Sequence, residues 1–308
     1  MNGQEKDFEQ IFIVGCGDIG RRVARLWQQR GLPVSGLVRS HASAQRLAQQ
    51  GIRPQQQDLD HPPRLSSPTP RLALNQTLVY YFAPPPKTGE QDPRVGHFLE
   101  CIDTTALPAA LIYLSTSGVY GDQGGRLIDE DTPARPVVPR ARRRYHAEQS
   151  LRRWGVERGV PVITLRTGGI YGPGRLPLRR IRERVPVLHE HLAPSTNRIH
   201  AEDLARACLA AAERGQAGRI YNISDGSHGN MSEYFNTIAD CFGLPRPPAI
   251  SLEEAEQQLS AGMLSYLRES RRLDNRRMRE ELGVVLRYPD LRQGLAACIE
   301  EQEITPEP

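Results

Sequence analysis

The chain has 308 residues, of which 38% are hydrophobic and 25% are charged, and its formal net charge is +4. These proportions suit a soluble globular protein with one large domain or two unequal ones. No apolar run approaches the roughly 18 residues that a bilayer span requires, which excludes a membrane helix. The first ten residues lack the basic and apolar regions of a signal peptide, so we expect a cytoplasmic protein.

Cysteine and histidine usage argues against a disulfide framework and against a metal site. The five cysteines lie far apart and form no CxxC pair. His189 and His191 stand two residues apart, but no further cluster of His or Cys supports them as ligands. We therefore expect no bound metal.

The N-terminal half alternates between short apolar runs and helical patterns. Continuous apolar runs are typical of parallel strands that are buried on both faces. The runs occupy residues 11–14, 34–38, 78–82, 110–114 and 162–165, and the helical patterns between them occupy residues 19–29, 42–50, 96–104 and 142–154. This alternation predicts the α/β class, with a Rossmann-type doubly wound parallel sheet and right-handed crossovers.

The alternation weakens after residue 166. A stretch rich in Gly, Pro and Arg leads to a helical pattern and to one more strand-like run, and the rest of the chain is mainly helical. These later helical patterns cover residues 202–215, 231–243, 251–267 and 274–283. We expect residues 1–166 plus about 198–226 to form the sheet domain, and about 167–197 plus 227–308 to form a smaller, mainly helical lobe.

A glycine-rich turn follows the first predicted strand directly and opens the first predicted helix. Glycines allow the tight turn and let the backbone approach a pyrophosphate, whose charge the helix N-terminus stabilises. The turn reads GCGDIG, and the residues predicted to bind a dinucleotide are Gly15, Gly17, Asp18, Ile19 and Gly20. The sheet domain is thus predicted to bind NAD(P), and the smaller lobe to bind the substrate.

The end of the second strand favours NADP over NAD. An NAD site usually has a carboxylate about twenty residues after the glycines, but this strand ends in Val38-Arg39-Ser40. A guanidinium can bind a 2′-phosphate with two charge-assisted hydrogen bonds, whereas a carboxylate would repel it. We expect Arg39 and Ser40 to bind NADP, with Arg21 and Arg22 as helpers and NAD as the alternative cofactor.

Four further motifs resemble the extended and atypical short-chain dehydrogenase/reductases, the group often called the NAD-dependent epimerase/dehydratase family. They follow in the family's order and, with the glycine turn, cover most of the chain to about residue 226. The motifs are LSTSGVYG at 114–121, LRTGGIYGPG at 165–174, RIHAEDL at 198–204 and YNISD at 221–225. The resemblance implies that Thr116 orients the reacting oxygen and that further cofactor contacts come from Asp58, Ala83, Pro84 and Ser115.

The chain departs from this family at the Tyr-x-x-x-Lys pair, because no lysine follows Lys87. In one register Tyr145 is the phenol and Gln149 replaces the lysine. In the other, Arg140 occupies the tyrosine position and Arg144 the lysine position, where it would contact the ribose. We prefer the second register, because it also matches the family's proline before the tyrosine and its acidic residue after the lysine. An arginine cannot serve as a general acid near neutral pH.

The arginine-rich segment 139–144 allows two interpretations. Positive charge opposes the dipole at a helix N-terminus, so the segment could bind an anion such as a phosphorylated substrate. Alternatively, its arginines are simply exposed. His200 and Asp203 are interpreted as structural residues at a sheet-to-helix turn, and Tyr120 as a wall of the pocket or a packing residue.

The resemblance implies an oxidoreductase or an epimerase/dehydratase that acts on a small, anionic or nucleotide-linked substrate. The alternative is a non-catalytic sensor or scaffold that binds NADP(H). Nucleic-acid binding is not favoured, because only 6% of the residues are aromatic and the net charge is modest. Family members often pair through a helical bundle, so by analogy we expect a homodimer that uses the helix over residues 142–154.

Overall fold

The computed structural model describes residues 8–61 and 71–304, the last four of these as backbone only. In the first half, strands and helices alternate as predicted. In chain order the elements are β1 (Gln10–Val14), α1 (Asp18–Gln28), β2 (Val34–Val38), α2 (His41–Gln49), β3 (Arg53–Gln56), β4 (Thr77–Tyr81), α3 (Pro93–Cys101), β5 (Ala110–Thr116), β6 (Leu127–Ile128), α4 (Pro139–Arg158) and β7 (Val162–Thr167).

The second half has more helices and shorter strands. Two 3-10 helices, Ser117–Tyr120 and Glu190–Leu192, add to the regular elements. The remaining elements are β8 (Gly169–Tyr171), α5 (Leu178–Arg182), β9 (Val187–Leu188), β10 (Arg198–His200), α6 (Ala201–Arg214), β11 (Ile220–Ile223), α7 (Met231–Cys241), β12 (Ala249–Ile250), α8 (Leu252–Gln258), α9 (Ala261–Leu267), β13 (Arg272–Leu273), α10 (Arg276–Glu280) and α11 (Leu291–Ile304).

Seven strands form one parallel sheet in the order β11-β7-β5-β4-β1-β2-β3. The strand order reverses between β1 and β4, which creates a crevice beyond their carboxyl ends. The outer strand β3 is mostly exposed, and its Pro54 lies opposite Gly36 of β2. This topology confirms the predicted doubly wound α/β fold.

The apolar runs are continuous because both faces of the sheet are covered by helices. Ile13 and Tyr80 belong to the core on the face with α1 and α6. Val14 and Tyr81, the next residue in each strand, belong to the core on the opposite face, which also contains Ala147 and residues of α3. Successive side chains therefore point to opposite faces, and each is buried.

The smaller lobe has a core of its own, in which Tyr171, Ile181, Tyr234 and Leu295 are buried together. Three pairs of short strands, β10 with β8, β12 with β9 and β13 with β6, lie outside the seven-stranded sheet. The chain then returns to the sheet, since Met278, Leu282 and Val284 are buried in the core beside α1 and α6. The proposed division into two lobes stays a prediction.

Two helices of the C-terminal part differ from the prediction. The single helix predicted over 251–267 is wrong, because Leu259 is extended and Ser260 begins a new helix by accepting a hydrogen bond from the Met263 amide. Helix α11 was not predicted. Across the two described ranges, no helix combines the length and the apolarity needed to cross a membrane.

Candidate functional site

The glycine turn is shaped by contact with the segment that follows β4. Gly15 has φ +78°, and a Cβ atom there would lie 2.5 Å from the backbone N and Cα of Ala83. Gly17 precedes α1 and has no side chain to accept hydrogen bonds from the first-turn amides. Gly20 allows α1 to pack closely, because a Cβ there would lie 3.1 Å from Ile13. The turn therefore leaves bare amides at the N-terminus of α1.

A cleft of about 550 Å³ opens beyond the carboxyl ends of β1, β2 and β4. It contains seven of the residues that were predicted to bind the cofactor, namely Gly15, Gly17, Arg39, Ser40, Asp58, Ala83 and Pro84, and also Arg21, one of the two predicted helpers. The sequence prediction missed other polar residues of the same cleft, namely Ser43, Arg46, Gln57, Lys87 and Arg94. A ligand in this cleft would therefore meet both the glycine turn and a group of basic side chains.

Basic residues surround the end of the cleft beyond β2. Arg39 is 69% exposed, and its Nη1 lies 3.5 Å from Oδ2 of Asp60. Arg94 holds Asp60 through two hydrogen bonds of 2.6 and 2.9 Å and also donates to the Pro84 carbonyl. Ser40 caps α2 by accepting a hydrogen bond from the Ser43 amide. Because Arg94 already neutralises Asp60, Arg39 remains available to a ligand.

Two of the other predicted glycine-turn residues contribute in different ways. Ile19 is buried in the sheet core, so only its backbone can face a ligand. Asp18 is paired with two arginines: its Oδ1 lies 3.1 Å from Nε of Arg22 and its Oδ2 lies 2.5 Å from Nε of Arg175. The contact between Arg175 and Asp18 could not be predicted from the sequence, because 157 residues separate the two partners.

The end of β5 presents two hydroxyl groups. Ser115 is buried, and its Oγ has no hydrogen-bond partner among the described residues. Thr116 is half-buried, and its Oγ1 accepts a hydrogen bond of 3.2 Å from the Gly118 amide. The Thr116 hydroxyl can still donate a hydrogen bond, so it could orient a substrate oxygen.

Helix α4 places the residues of the two registers in different surroundings. Nη1 of Arg144 lies 3.2 Å from the Leu114 carbonyl and 3.5 Å from the Tyr113 hydroxyl, beside the end of β5. Tyr145 packs against the apolar cluster that contains Val119 and Leu273. The preference for Arg144 at the lysine position agrees with this arrangement but stays a prediction.

Arg140 contacts a distant segment of the chain. Its guanidinium donates to Ser265, lies 3.7 Å from the centroid of the Tyr266 ring and approaches Glu269 to 3.8 Å. Arg140 thus links the start of α4 to α9 and to the loop that follows it. It makes these contacts at the position that the preferred register aligns with the family's tyrosine.

The neighbouring arginines also have protein partners. Arg142 pairs with Glu90 at 2.5 Å. Arg143 is buried and donates to the Gly89 carbonyl. The arginines of segment 139–144 therefore contact other parts of the protein, and anion binding by this segment stays a prediction.

A buried ion pair supports this part of the fold. Glu148 of α4 accepts hydrogen bonds of 3.1 and 2.7 Å from Arg166 of β7, and both side chains are 4% exposed. The Arg166 guanidinium lies 4.6 Å from the centroid of the Tyr120 ring. Tyr120 donates to Asn222, and burial raises the pKa of Tyr120 to about 12. Tyr120 is thus a packing residue here and a poor proton donor near neutral pH.

The histidines have structural surroundings. His200 caps α6 by accepting a hydrogen bond from the Glu202 amide, and burial lowers the pKa of His200 to about 4. Asp203 accepts hydrogen bonds from the amides of Arg287 and Tyr288. Within residues 8–61 and 71–304, no three His, Cys, Asp or Glu side chains are grouped so that they could hold a metal ion.

A protein-family model matches the middle of the chain. Residues 96–224 match the model of the NAD dependent epimerase/dehydratase family. The human dTDP-D-glucose 4,6-dehydratase is 30% identical over 120 residues, which are 36% of this chain and 34% of that protein. The chain thus spans about a third of the length of this curated relative.

Two solved structures show the likeness over the whole chain. A conserved protein of unknown function from Silicibacter pomeroyi is 30% identical, with a TM-score of 0.80 over 96% of this chain and 99% of that one. MoeE5 in complex with UDP-glucose and NAD has a TM-score of 0.74 at 23% identity, over 97% of this chain and all of that one. Residues 96–224 of the chain therefore match an NAD dependent epimerase/dehydratase domain, within a fold that these solved structures share.

Proposed function

We propose that the protein binds a nicotinamide dinucleotide in the cleft beyond β1, β2 and β4. The observation that carries the proposal is the glycine turn, where Gly15 touches the Ala83 backbone and the uncapped start of α1 adjoins the cleft. Such a helix N-terminus stabilises a pyrophosphate through its free amides and its dipole. MoeE5, which has a similar fold, is known in complex with NAD.

NADP is the preferred cofactor in this proposal. Of the charged residues that line the cleft, one is acidic, Asp58, whereas five are basic: Arg21, Arg39, Arg46, Lys87 and Arg94. The positive charge favours a 2′-phosphate, and Arg39 stands at the position where an NAD site usually has a carboxylate. The four basic residues other than Arg39 support NADP independently of the sequence position of Arg39.

The preference is tested by calorimetric titration with NADPH and NADH. We expect NADPH to bind more tightly, and Arg39→Ala to weaken NADPH binding about tenfold or more while NADH binding stays the same. Arg53→Ala is the matched control, because Arg53 is an exposed arginine on β3 that does not line the cleft. Tighter binding of NADH overturns the NADP preference, and no binding of either nucleotide at millimolar concentration overturns the cofactor site.

We also propose that the protein is an oxidoreductase or an epimerase/dehydratase for a small, anionic or nucleotide-linked substrate. A bound nicotinamide would supply the hydride chemistry. Thr116 would orient the reacting oxygen and Arg144 would contact the ribose. Ser115 lies next to Thr116, and its buried hydroxyl has no hydrogen-bond partner in the described part of the chain. Arg140 cannot transfer the proton, because a guanidinium stays protonated near neutral pH. Tyr120 is a poor proton donor, because burial raises its pKa. Proton transfer is therefore left to Tyr145, to the substrate or to water.

Turnover tests this assignment. In a screen of nucleotide sugars and carbonyl compounds, Thr116→Ala is expected to lower kcat about 10²-fold or more, within the range of positioned acid/base and electrostatic effects. Thr116→Ser is the control, because it keeps both the hydroxyl and its hydrogen bond to Gly118. Equal activity of the two variants would remove Thr116 from the mechanism.

The second candidate is a sensor or scaffold that binds NADP(H) without turnover. It is favoured by the absence of any lysine after Lys87 and by the contacts that hold Arg140 to residues 265–269. Tight NADPH binding together with no consumption of NADPH across the same screen would support this candidate. Sustained consumption with any substrate would exclude it.

A further inference from the structure

Arg175 lies in the loop between β8 and α5, within the motif GIYGPGR. Its amide donates a hydrogen bond of 3.0 Å to the Gly172 carbonyl, which closes a tight turn. Gly172 has φ +146°, and a Cβ atom there would lie 3.2 Å from the Cβ of Ala201 and 3.4 Å from Nε2 of His200. This close packing fixes the loop against the start of α6.

The Arg175 side chain reaches from this loop to the start of α1. Its Nε donates to Oδ2 of Asp18 at 2.5 Å. Asp18 also accepts a hydrogen bond of 3.1 Å from Arg22, which in turn pairs with Glu202 of α6. Four side chains of alternating charge thus join the loop, α1 and α6.

The charge balance at Asp18 has a consequence for the adjoining cleft. Burial opposes ionisation of this carboxyl, but Arg175 and Arg22 outweigh it and hold the pKa of Asp18 below its usual value. An ionised carboxylate in the first turn of α1 would by itself repel a pyrophosphate. Arg22 also pairs with Glu202, so Arg175 supplies the positive charge that balances Asp18.

The Arg175 guanidinium has hydrogen-bond donors that Asp18 does not occupy. Its side chain is 31% exposed, and Nε is used on Asp18. No residue in the two described ranges accepts a hydrogen bond from Nη1 or Nη2 of Arg175. A guanidinium with two free nitrogens is well suited to phosphate oxygens.

We propose that Arg175 is a pyrophosphate-binding residue that the β8–α5 loop contributes to the dinucleotide site, with Asp18 as the residue that positions it. The inference rests on the proposed dinucleotide function and adds a contact from outside the glycine turn. The loop leads into α5, whose Ile181 is buried in the core of the smaller lobe. Dinucleotide binding is thereby linked to the position of that lobe.

The test compares three ligands on the full chain by calorimetric titration: NADP⁺, ADP-ribose and 2′-AMP. We expect Arg175→Ala to weaken NADP⁺ and ADP-ribose about 10- to 100-fold, the effect of losing charge-assisted hydrogen bonds. Binding of 2′-AMP should stay unchanged, because this ligand has no pyrophosphate. Arg179→Ala is the matched control: Arg179 is exposed on α5, pairs with Glu183 just after that helix and should leave all three affinities unchanged.

Arg175→Lys is a second variant that keeps the positive charge beside Asp18. It should lose less affinity for NADP⁺ than Arg175→Ala does. The inference is overturned if Arg175→Ala binds NADP⁺ as tightly as the wild type, or if it weakens 2′-AMP as much as NADP⁺. Either result leaves the proposed dinucleotide function standing, whereas a wild type that binds neither NADP⁺ nor ADP-ribose removes both.

Discussion

Gly15 and Gly31 share the same backbone angle, φ +78°, but their surroundings differ. A Cβ atom on Gly15 would collide with the Ala83 backbone, whereas one on Gly31 would meet no atom within 4 Å. Both alanine variants carry the cost of a left-handed conformation, roughly 1–2 kcal/mol. Only Gly15→Ala must also separate the glycine turn from the segment that follows β4.

We therefore expect Gly15→Ala to lower the free energy of unfolding by at least about 1 kcal/mol more than Gly31→Ala does. The collision cannot be relieved by a side-chain rotation, because its partners are backbone atoms. Urea denaturation of the two variants measures the difference. Equal destabilisation would show that the turn can move away from Ala83.

Asp92 is a buried carboxyl at the start of α3. Its Oδ1 accepts a hydrogen bond of 3.1 Å from the Arg94 amide, and its Oδ2 has no hydrogen-bond partner in the described ranges. Burial raises the pKa of Asp92 to about 6, although Arg144 opposes the rise. The folded protein therefore holds this proton more tightly than the unfolded chain, whose aspartates titrate near about 3.9.

Such a group favours folding at low pH, and its contribution is lost as the pH rises through about 6. Asn keeps the helix cap but has no charge to bury. Relative to the wild type, Asp92→Asn should gain up to about 3 kcal/mol of stability between pH 4 and pH 7.5. Urea denaturation at these two pH values measures the change, and a pH-independent difference would contradict the assigned pKa.

At the scale of elements, α9 depends on contacts made by another helix. It has no buried residue of its own, and Arg140 of α4 contacts both Ser265 and Tyr266. We expect Arg140→Ala to speed amide hydrogen exchange in residues 261–267 about tenfold or more. In the wild type, local opening of α9 must break the cation–π contact and the hydrogen bonds of Arg140, whereas the variant has none of these contacts to break.

Arg142→Ala is the control for this experiment. Arg142 lies on the same helix but pairs with Glu90, away from α9. Its removal should leave exchange in residues 261–267 unchanged. If both variants behave alike, the contacts of Arg140 do not hold α9 in place.

The elements that could be predicted from sequence are those whose signals are local. Strand β2 was predicted with its observed bounds because its apolar run is short and sharply bordered. The break between α8 and α9 also has a local cause, Ser260 acting as a cap, but the apolar periodicity continues across it and concealed it. Helix α11 was missed.

The same distinction holds for the candidate site. The glycine turn and Arg39 could be found because their meaning lies in a few adjacent residues. The partners of Asp18, Arg140 and Arg166 could not, because each contact is made between elements that only the fold brings together. Sequence spacing predicts where a charge stands in the chain but not which charge it will face.

At the scale of the whole molecule, the C-terminal part of the chain contributes buried residues both to the core of the smaller lobe and to a core of the sheet. The core around Leu295 lies in the lobe, yet the segment that contains Met278 and Leu282 returns to the sheet core. Both tryptophans, Trp27 and Trp154, pack against the cores of the sheet. Tryptophan fluorescence therefore reports on the sheet alone.

We expect Leu295→Ala to lower the free energy of unfolding by about 2–5 kcal/mol, because Leu295 is fully buried. The fluorescence transition in urea should shift together with the circular dichroism transition, since the shared segment couples the two parts. Val285→Ala, at a side chain that is 83% exposed, is the control and should shift neither. An unshifted fluorescence transition would mean that the lobe unfolds independently.

The outermost strand of the sheet, β3, carries a proline within an otherwise polar and exposed run. Proline has no N–H, so a strand from another molecule that approached this side would lack one of the donors that a regular ladder needs. Two open sheets can pair through their edge strands, and such pairing leads to aggregates or to amyloid fibrils. Pro54 thus removes one backbone donor from the open edge of the sheet and disfavours pairing with a second molecule there.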